Sequence, residues 1–300
     1  MNNFLKVAVI QTSLNAEAAW VDDALDWKNS IKMSLSEEGQ AKRDIRHFIG
    51  SIRSSSKNVD IILLPELSVP LSYVRVLKKA AENLEAVVIA GLDYTITGDD
   101  KKPAVSNEAI IIVPSRLNGK RISSRTSSRR IGKTYAAPGE ERKLHKITSG
   151  PVIFDANPVI WLFKSSDLGD FAVAICYDFM DLDRIAMYRG KIQTLFILAY
   201  NQDTTSFDHL AEAISRTVFC NVVISNCGYF GGSLAISPFR EAYKRTVYKH
   251  SGTGLSNAQI IKLPLASIKS HQANPVSKDF KSLPPGFDKI HTHPLWVSKV

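Results

Sequence analysis

The sequence predicts an α/β fold, because apolar runs of strand length recur along the chain and segments with helical periodicity lie between several of them. Most of the apolar runs are continuous rather than alternating, which is typical of strands buried on both faces of a sheet. The sequence has no internal repeat and no central linker, which favours one domain, placed here at residues 1–266. Residues 267–300 carry few periodic signals and are predicted to form an arm that lies over the domain or across a partner subunit.

Each element is predicted from its own stretch of sequence. The predicted strands are LKVAVIQ (5–11), VDIILLPE (59–66), AVVIAGL (86–92), EAIIIVP (108–114), VIWLF (159–163), FAVAICYD (171–178), TLFILAY (194–200), NVVISN (221–226) and AQIIKL (258–263). The predicted helices are residues 16–35, 41–52, 72–84, 183–189 and 207–220. Residues 115–150 are rich in Ser, Arg and Gly, and we expect them to form a long irregular loop.

Length and composition are those of an ordinary globular protein: 300 residues, of which 44% are hydrophobic and 22% charged. The cysteines Cys176, Cys220 and Cys227 lack the paired spacing of a disulfide scaffold, which favours a reducing compartment. The first residues, MNNFLKVAVIQT, predict a strand rather than a signal peptide. No apolar run reaches the ~18 residues that span a bilayer. We therefore expect a cytoplasmic protein with no membrane partner.

The chain is basic, with 38 Lys and Arg against 29 Asp and Glu and a net charge of +9. Part of the excess is local, because residues 116–146 contain many cations and only Glu140 and Glu141 as acids. A solvated basic loop is one interpretation of the segment 116–133, and contact with the phosphates of nucleic acid is another. The sequence leaves both interpretations open.

The tripeptide Gly132-Lys133-Thr134 looks like the end of a phosphate-binding loop, but its surroundings argue against that function. Such a loop needs a glycine six residues before the lysine, where this chain has Ser127. It must also open a helix, and Pro138-Gly139 is expected to break a helix soon after Lys133. A different role for Lys133 is therefore expected.

Two reactive side chains are predicted at the carboxyl ends of buried strands, where α/β folds bind ligands. Cys176 closes the strand FAVAIC, although a single cysteine is more often a small buried apolar residue, as we expect for Cys220 and Cys227. Glu66 ends the strand IILLPE, where a carboxylate is costly to bury unless it has a partner or a function. Burial raises the proton affinity of a carboxylate, which suits a general base for a thiol.

The ordered set Glu66, Lys133 and Cys176 resembles the Glu-Lys-Cys triad of the carbon–nitrogen hydrolase (nitrilase) superfamily. Glu66 stands in PEL, Lys133 precedes a Pro-Gly-Glu-Glu turn, and Cys176 stands in CYD. The stretches AVIQT, SNEAIII and SRTVFCNVVISNCGYFGGS are also similar to the family, so the resemblance runs from about residue 7 to about residue 263. The family often has an arginine soon after the cysteine motif, and here only Arg184 offers a guanidinium.

The resemblance implies an αββα sandwich, in which two central sheets are flanked by helices, and a thiol hydrolase that needs no metal and no organic cofactor. It implies that the family's second glutamate is Glu141, with Glu140 as the alternative, and that the backbone N–H of Tyr177 helps Lys133 to stabilise an oxyanion. Tyr135 and Asn201 are further candidates for contacts with substrate.

The substrate implied by the resemblance is a small molecule with a non-peptide amide bond or a nitrile. Transfer of the acyl group to an amine instead of water is an alternative, and so is a binding module of the same fold that uses the segment 116–133. The family resemblance also implies a homodimer or a larger homo-oligomer, with the region after Asp178 and the C-terminal arm as candidate contacts.

Overall fold

Two β-sheets lie at the centre of the protein, which a computed structural model describes over residues 3–21, 23, 26–55, 58–148 and 152–287. The strands are β1 (Phe4–Gln11), β2 (Ile61–Val69), β3 (Val87–Leu92), β4 (Thr95–Ile96), β5 (Ala104–Ser106), β6 (Glu108–Val113), β7 (Arg116–Leu117), β8 (Lys120–Arg121), β9 (Ser127–Gly132), β10 (Ile153–Phe154), β11 (Phe171–Ile175), β12 (Thr194–Ala199), β13 (Asn221–Asn226), β14 (Ser233–Ile236), β15 (Thr246–His250) and β16 (Asn257–Pro264). The α-helices are α1 (Trp27–Ser30), α2 (Leu35–Ser54), α3 (Val74–Leu84), α4 (Pro138–Thr148), α5 (Leu182–Ala186), α6 (Thr204–Ile214), α7 (Ala242–Arg245) and α8 (Ala266–Ala273).

The first sheet has six strands in the order β16-β1-β2-β3-β6-β9, and the second has five in the order β11-β12-β13-β14-β15. At the centre of the first sheet β1, β2 and β3 are parallel, and in the second β11, β12 and β13 are parallel. The remaining neighbours in both sheets are antiparallel. The parallel strands end at the same edge of each sheet, which brings the carboxyl ends of β2 and β11 into position for a shared site.

The central strands bury both faces, as their continuous apolar runs predicted. In β1 and β2 one face carries Val7 and Leu63, which belong to the cluster that joins the two sheets. The opposite face carries Ile10 and Leu64, which pack with residues of α2 and α3. Helices α5 and α6 cover the outer face of the second sheet through side chains that include Phe207. The layers therefore follow the order helix, sheet, sheet, helix, and the predicted αββα fold is confirmed.

Three predictions of local structure are wrong. Residues 159–163 do not form a strand, because only Phe163 makes an isolated bridge, to Phe171. The predicted helix 16–35 is replaced in its described residues by turns and the four-residue helix α1, before α2 begins at Leu35. The expected loop 115–150 contains β7, β8, β9 and α4 in its described part.

The C-terminal arm is described as far as residue 287, and residues 288–300 of the predicted segment 267–300 lie outside the described residues. It begins within α8 and packs on the domain through a small aromatic cluster that contains Phe219, Ile268 and Phe280. The boundary between domain and arm stays a prediction. Among the described residues, no helix combines the length and the apolar character needed to cross a membrane.

Candidate active site

Cys176 lies at the first position of a 3₁₀ turn, Cys176–Met180, directly after strand β11. Its backbone φ is +44°, in the left-handed region that a non-glycine residue rarely adopts. Strain of this kind is often found where a side chain must be aimed at a site, because the surrounding fold holds the residue in place. The side chain is only 6% exposed. The sharp turn therefore presents the thiol at the edge of the second sheet, inside the protein.

Glu66 is aimed into the site by an irregularity in strand β2. The register between β2 and β3 shifts between Leu64 and Val69, and Leu67 within this bulge has a φ of +53°. A bulge redirects a side chain that would otherwise follow the alternation of the strand. The neighbouring strand passes very close at Gly91, where a Cβ atom would lie 2.3 Å from the Glu66 Cα. Only glycine allows this approach, so the sequence of β3 helps to fix the position of the glutamate.

Lys133 follows strand β9 and carries its ammonium group into the same place. The side chain is 2% exposed, and its Nζ donates to Glu66 Oε1 at 2.8 Å and to Glu140 Oε2 at 2.6 Å. Its backbone N–H donates to the carbonyl of Asn107 at 2.8 Å, which ties the end of β9 to the start of β6. A buried ammonium between two carboxylates has strong partners on both sides.

The second carboxylate beside Lys133 belongs to Glu140, so the preferred assignment to Glu141 is corrected in favour of the alternative. The reason is that α4 begins at Pro138, so both glutamates lie in its first turn. Consecutive residues of a helix point about 100° apart around its axis, so only one of the two can face the site. Glu140 faces inward and also accepts a hydrogen bond from Ala137 N at 3.2 Å, as a residue at the third helical position often does. Glu141 is exposed and borders a surface cavity with Leu144 and His145.

Asn107 joins the two glutamates, and it stands in the stretch SNEAIII, although no role was assigned to it from the sequence. Its Nδ2 donates to Glu66 Oε1 at 2.8 Å and to Glu140 Oε1 at 2.7 Å, and the residue is fully buried. Tyr94 adds a hydrogen bond from its hydroxyl to Glu140 Oε1 at 3.0 Å. An asparagine directly before a continuous apolar strand was the signal in the sequence, because a buried amide needs partners.

Charges and burial set the proton affinities in this cluster. Burial raises the pKa of Glu66, and Lys133 opposes the shift. Burial alone would lower the pKa of Lys133, but Glu66 and Glu140 outweigh it and hold that pKa well above its ordinary value. Burial and the charge of Glu66 raise the pKa of Cys176, although Lys133 lowers it. The resting cysteine is therefore a thiol beside a carboxylate that binds protons more readily than usual.

The contacts between Cys176 and its neighbours fit proton transfer to Glu66. The pKa of the thiol responds to a hydrogen bond with the Glu66 side chain and to one from the backbone N–H of Tyr200. Glu66 Oε2 is buried and has no conventional hydrogen-bond partner among the described residues. The oxygen that Lys133 and Asn107 leave free is thus the one available to the sulfur.

Asp178 and Arg184 connect the cysteine turn to the lysine segment. The Asp178 carboxylate accepts hydrogen bonds from Thr134 N at 3.0 Å and Tyr135 N at 3.0 Å. Arg184 lies 3.3 Å from the same carboxylate, and its Nη2 donates to the carbonyl of Val159 at 2.7 Å. Arg184 thus provides a buried guanidinium after the cysteine motif.

The other candidate residues occupy less central places. Tyr177 is 38% exposed, and Tyr135 is 46% exposed with its hydroxyl bound to Asp181 at 3.0 Å. The Asn201 side chain donates to the carbonyl of Asp203 at 2.8 Å, in the turn before α6. Cys220 and Cys227 are fully buried, as expected of core residues. Within the described ranges, no group of three or more His, Cys, Asp and Glu side chains could hold a metal ion.

Solved structures place this architecture in a known class. The chain has the fold of the carbon–nitrogen hydrolase (nitrilase) superfamily, as the sequence resemblance implied. XC1258 from Xanthomonas campestris, a CN-hydrolase superfamily protein with an arsenic adduct in its active site, is similar with a TM-score of 0.60 at 12% identity, over 91% of this chain and 95% of that one. Nit3 from Saccharomyces cerevisiae, a member of branch 10 of the nitrilase superfamily, is similar with a TM-score of 0.58 at 16% identity, over 93% of this chain and 97% of that one.

A third similar structure is a double mutant of the amidase from Nesterenkonia sp. AN1 in complex with acrylamide. Its TM-score is 0.56 at 12% identity, over 90% of this chain and 94% of that one. No protein-family model matches the sequence. No curated protein matches it either. The similarity to known proteins therefore concerns the fold, and the chemistry has to be argued from the side chains of this chain.

Proposed function

We propose that this protein is a carbon–nitrogen hydrolase that cleaves an amide bond of a small molecule through a thioester on Cys176. One observation carries the proposal: the buried Lys133 ammonium bridges Glu66 and Glu140 next to the Cys176 thiol, in a fold that amidases also have. A strained nucleophile, a carboxylate with raised proton affinity and a fixed cation are the parts that acyl transfer to a thiol requires.

Acylation begins with proton transfer from Cys176 Sγ to Glu66. The raised pKa of the Glu66 carboxyl makes it a stronger base than an exposed glutamate, which suits proton transfer near neutral pH. The thiolate attacks the amide carbon, and a tetrahedral intermediate forms. Protonated Glu66 then gives its proton to the departing nitrogen. The carbon–nitrogen bond breaks, the amine leaves, and a thioester remains on Cys176.

Lys133 is the proposed electrostatic partner of the intermediate. The substrate oxygen becomes negative when the carbonyl carbon turns tetrahedral, and an ammonium held in a buried site stabilises that charge without reorganising. The backbone N–H of Tyr177 is the proposed second donor. Glu140 acts through Lys133, because its carboxylate and that of Glu66 fix the direction of the ammonium.

Deacylation uses the same base. Glu66, which is ionised again after the amine leaves, takes a proton from water, and the hydroxide attacks the thioester. The carboxylic acid is released as the carbon–sulfur bond breaks, and the proton on Glu66 returns to the sulfur. The cycle regenerates the thiol and consumes one water molecule for each amide bond.

Aromatic rings beside the cluster favour a small substrate with an apolar acyl part. Tyr200 contributes the backbone N–H near the sulfur, and its ring packs edge to face with Trp20 at 5.7 Å and Phe230 at 5.2 Å. Trp20 also packs against Tyr94, the residue bound to Glu140. We favour an amide over a nitrile because the Nesterenkonia amidase structures contain acrylamide and butyramide.

Alkylation with iodoacetamide followed by peptide mapping tests the nucleophile. We expect Cys176 to react first, because Glu66 is positioned to take its proton. Cys220 and Cys227 serve as internal controls, since both are fully buried and burial raises the pKa of Cys227 to about 12. The Glu66→Gln variant should be alkylated more slowly at Cys176. Preferential labelling of Cys220 or Cys227, with Cys176 inert, would contradict the proposal.

Ammonia release from acrylamide, butyramide and butyronitrile tests the reaction, with Cys176→Ala as the control. Release from the amides but not from the nitrile assigns amidase activity, and release from butyronitrile alone assigns nitrilase activity. Hydroxamate formation with added hydroxylamine in place of hydrolysis would assign acyl transfer. Equal release by the wild type and the Cys176→Ala variant would exclude the thioester route.

A binding role for the segment 116–133 is the second candidate. Arg116 and Arg130 pair with Glu85 and Glu108, but Arg121, Arg125 and Arg129 are exposed and have no acidic partner among the described residues. Binding of single-stranded and duplex nucleic acid across a salt series tests this role, because contacts with phosphates weaken as salt rises. A lack of salt-sensitive affinity would exclude it.

We also propose that the chain forms a homo-oligomer through the region after Asp178. Met180, Leu182 and Met187 expose 47%, 58% and 55% of their surface there, which is unusual for large apolar side chains that lie close together in sequence. Size-exclusion chromatography with light scattering measures the mass of the particle. A monomer at all concentrations would contradict this proposal.

A further inference from the structure

A separate cavity lies between helix α6, strand β14 and the C-terminal arm. Its volume is about 280 Å³, and its lining includes Arg216, Ile236, Phe239, Arg245 and Lys281. None of the lining residues belongs to the cluster around Cys176. The cavity combines apolar walls with several cations, and the proposed hydrolase mechanism uses none of them.

The Arg216 guanidinium is the most unusual group in this cavity. Its Nη1 atom is buried and has no hydrogen-bond partner within the described ranges, and the side chain forms no ion pair with any described residue. The Arg216 side chain as a whole is only half-buried, but a buried guanidinium N–H group without a partner is costly, and natural proteins rarely leave one. The Nη1 group of Arg216 is therefore free to donate to an anionic or strongly accepting ligand.

Lys281 brings a second cation to the same place. The arm is held there by an isolated β-bridge between Phe239 and Phe280, whose rings stack with centroids 5.1 Å apart. The backbone N–H of Lys281 donates to the carbonyl of Pro238 at 3.2 Å. No acidic side chain in the described part of the chain pairs with the Lys281 ammonium. The arm thus adds an uncompensated positive charge to the rim.

The acid in the lining, Glu212, does not neutralise these two cations. It is 3.0 Å from Arg245 Nη1, and Arg245 also donates to the carbonyls of Phe239 at 3.1 Å and Arg240 at 3.0 Å. Each nitrogen of the Arg245 guanidinium therefore has a protein partner, and Glu212 is its counter-ion. The charge that remains available to a ligand is that of Arg216 and Lys281.

The backbone that carries Arg216 is itself irregular. Residues Ser215–Phe219 form a π-helical turn, and Phe219 ends it with a φ of +62°. Isolated π turns occur often at functional sites, and a bulky residue with positive φ is a true outlier. The Phe219 ring stacks on His271 of the arm at 5.3 Å, so this contact links the turn that carries Arg216 to the arm.

We propose that this cavity binds a small organic anion, with Arg216 and Lys281 holding its carboxylate or phosphate group. The apolar walls formed by Ile236, Pro238 and Phe239 fit a short apolar body attached to that group. The ligand joins the domain to the arm, because one of the two cations lies on each. Binding therefore stabilises the folded protein with its arm in place.

Isothermal titration calorimetry and thermal unfolding with benzoate, phenyl phosphate and inorganic phosphate test the proposal. We expect at least one of the two aromatic anions to bind and to raise the Tm of the wild-type protein. Arg216→Met and Lys281→Met should each weaken that binding about tenfold or more, since each removes a charge-assisted contact. Lys278→Met is the matched control, because Lys278 is an exposed cation on the same arm.

Each result of these titrations bears on one part of the proposed site. Binding of benzoate alone assigns a carboxylate ligand, and binding of phenyl phosphate alone assigns a phosphate ligand. Stronger binding of phenyl phosphate than of inorganic phosphate supports contact between the ligand and the apolar wall. The same affinity in the Cys176→Ala variant separates this site from the proposed catalytic one. Equal binding by wild type, Lys281→Met and Lys278→Met would overturn the proposal, as would no binding at about 10 mM of any probe.

Discussion

The number of protons bound around Lys133 determines which side chains of the cluster are charged and which can act as a base. The cluster contains one ammonium and two carboxylates, and the thiol adds a third acidic group. Ionisation of all three acids would leave two uncompensated negative charges in a buried site. Burial is the main cause of the raised pKa values of Glu66 and Cys176, and the excess of acidic groups adds to it. A resting thiol beside the Glu66 carboxylate limits the negative charge in the site, and transfer of its proton to Glu66 starts the proposed reaction.

Replacement of Glu140 by glutamine tests its role in holding Lys133. Glutamine keeps the size of the side chain and can still cap the helix, so the fold should persist. With one charge lost, the Lys133 ammonium is held less firmly in its orientation. With the amide that proves to be a substrate, we expect kcat to fall about 100-fold and KM to change little. Glu141→Gln is the matched control one residue away, and steady-state kinetics should show less than a twofold change. Equal losses in both variants would argue against this assignment.

At the scale of elements, the start of α4 decides which glutamate reaches the site. Pro138 and Gly139 were expected to break a helix, yet proline is well suited to the first position of a helix, where its missing N–H is not needed. Because the helix begins at Pro138, the Glu140 side chain points into the site and the Glu141 side chain points to solvent. The helical periodicity of residues 138–148 is visible in the sequence, because Leu144 and Ile147 are three residues apart and both are buried.

The pair of Asp178 and Arg184 joins two other elements, the cysteine turn and helix α5. Arg184→Met leaves the buried Asp178 carboxylate without its cation, and we expect a loss of about 3–5 kcal/mol in the free energy of unfolding. The double variant Asp178→Asn with Arg184→Met should recover part of this loss, because the unpaired charge is then absent. Denaturant unfolding of the single and double variants gives the coupling energy. Strictly additive losses would show that the pair is not coupled.

Asp93 joins the end of β3 to the segment before α2. Its carboxylate accepts hydrogen bonds from Trp20 Nε1 at 2.9 Å and Met33 N at 2.8 Å, and burial raises its pKa to about 6. Because the folded state binds this proton more tightly than the unfolded state, the contribution to stability is fully present below the ordinary pKa of 3.8. It is lost as the pH rises through about 6.

We therefore expect the stability advantage of the wild type over Asp93→Asn to shrink by about 2 kcal/mol between pH 4 and pH 7. Urea unfolding at several pH values in this window gives the free energies. Asp183→Asn, which changes an exposed carboxylate, sets the background. A difference between wild type and Asp93→Asn that grows with pH would contradict the expected direction.

At the scale of the whole molecule, the sequence predicted what depends on local apolar patterns. The central strands are continuous apolar runs because helices or the second sheet cover both faces, so β1, β2, β3 and β6 were found close to their true bounds. Strand β9 was missed because Ser127–Gly132 is polar and lies at the edge of its sheet, with its first four residues exposed. The helix predicted at 16–35 failed because tertiary contacts such as that of Trp20 with Asp93 fix an irregular path there.

Some residues of the candidate site could be proposed from local patterns for the same reason. Glu66 and Cys176 were chosen as candidates because a polar residue at the end of a buried strand stands out in the sequence. Asn107 contacts Glu140, 33 positions away, and Asp178 contacts Thr134, 44 positions away, and local patterns do not identify partners at such separations. Lys133 was identified by the order of residues that the family resemblance supplied, since its own strand was not recognised.

The C-terminal arm provides a test of how the molecule holds together. Phe280 is 1% exposed and packs with Phe219, at the π-helical turn, and with His271 of α8. Phe280→Ala leaves a cavity and removes the ring that anchors the arm, so we expect a loss of about 3–5 kcal/mol in the free energy of unfolding. Val276→Ala is the matched control, because Val276 lies on the same arm but is 74% exposed, and its cost should stay within about 0.5 kcal/mol. Denaturant unfolding measures both, and limited proteolysis shows whether the arm is released first. If Phe280→Ala unfolds like the wild type and its arm resists protease, the arm does not stabilise the domain through this ring.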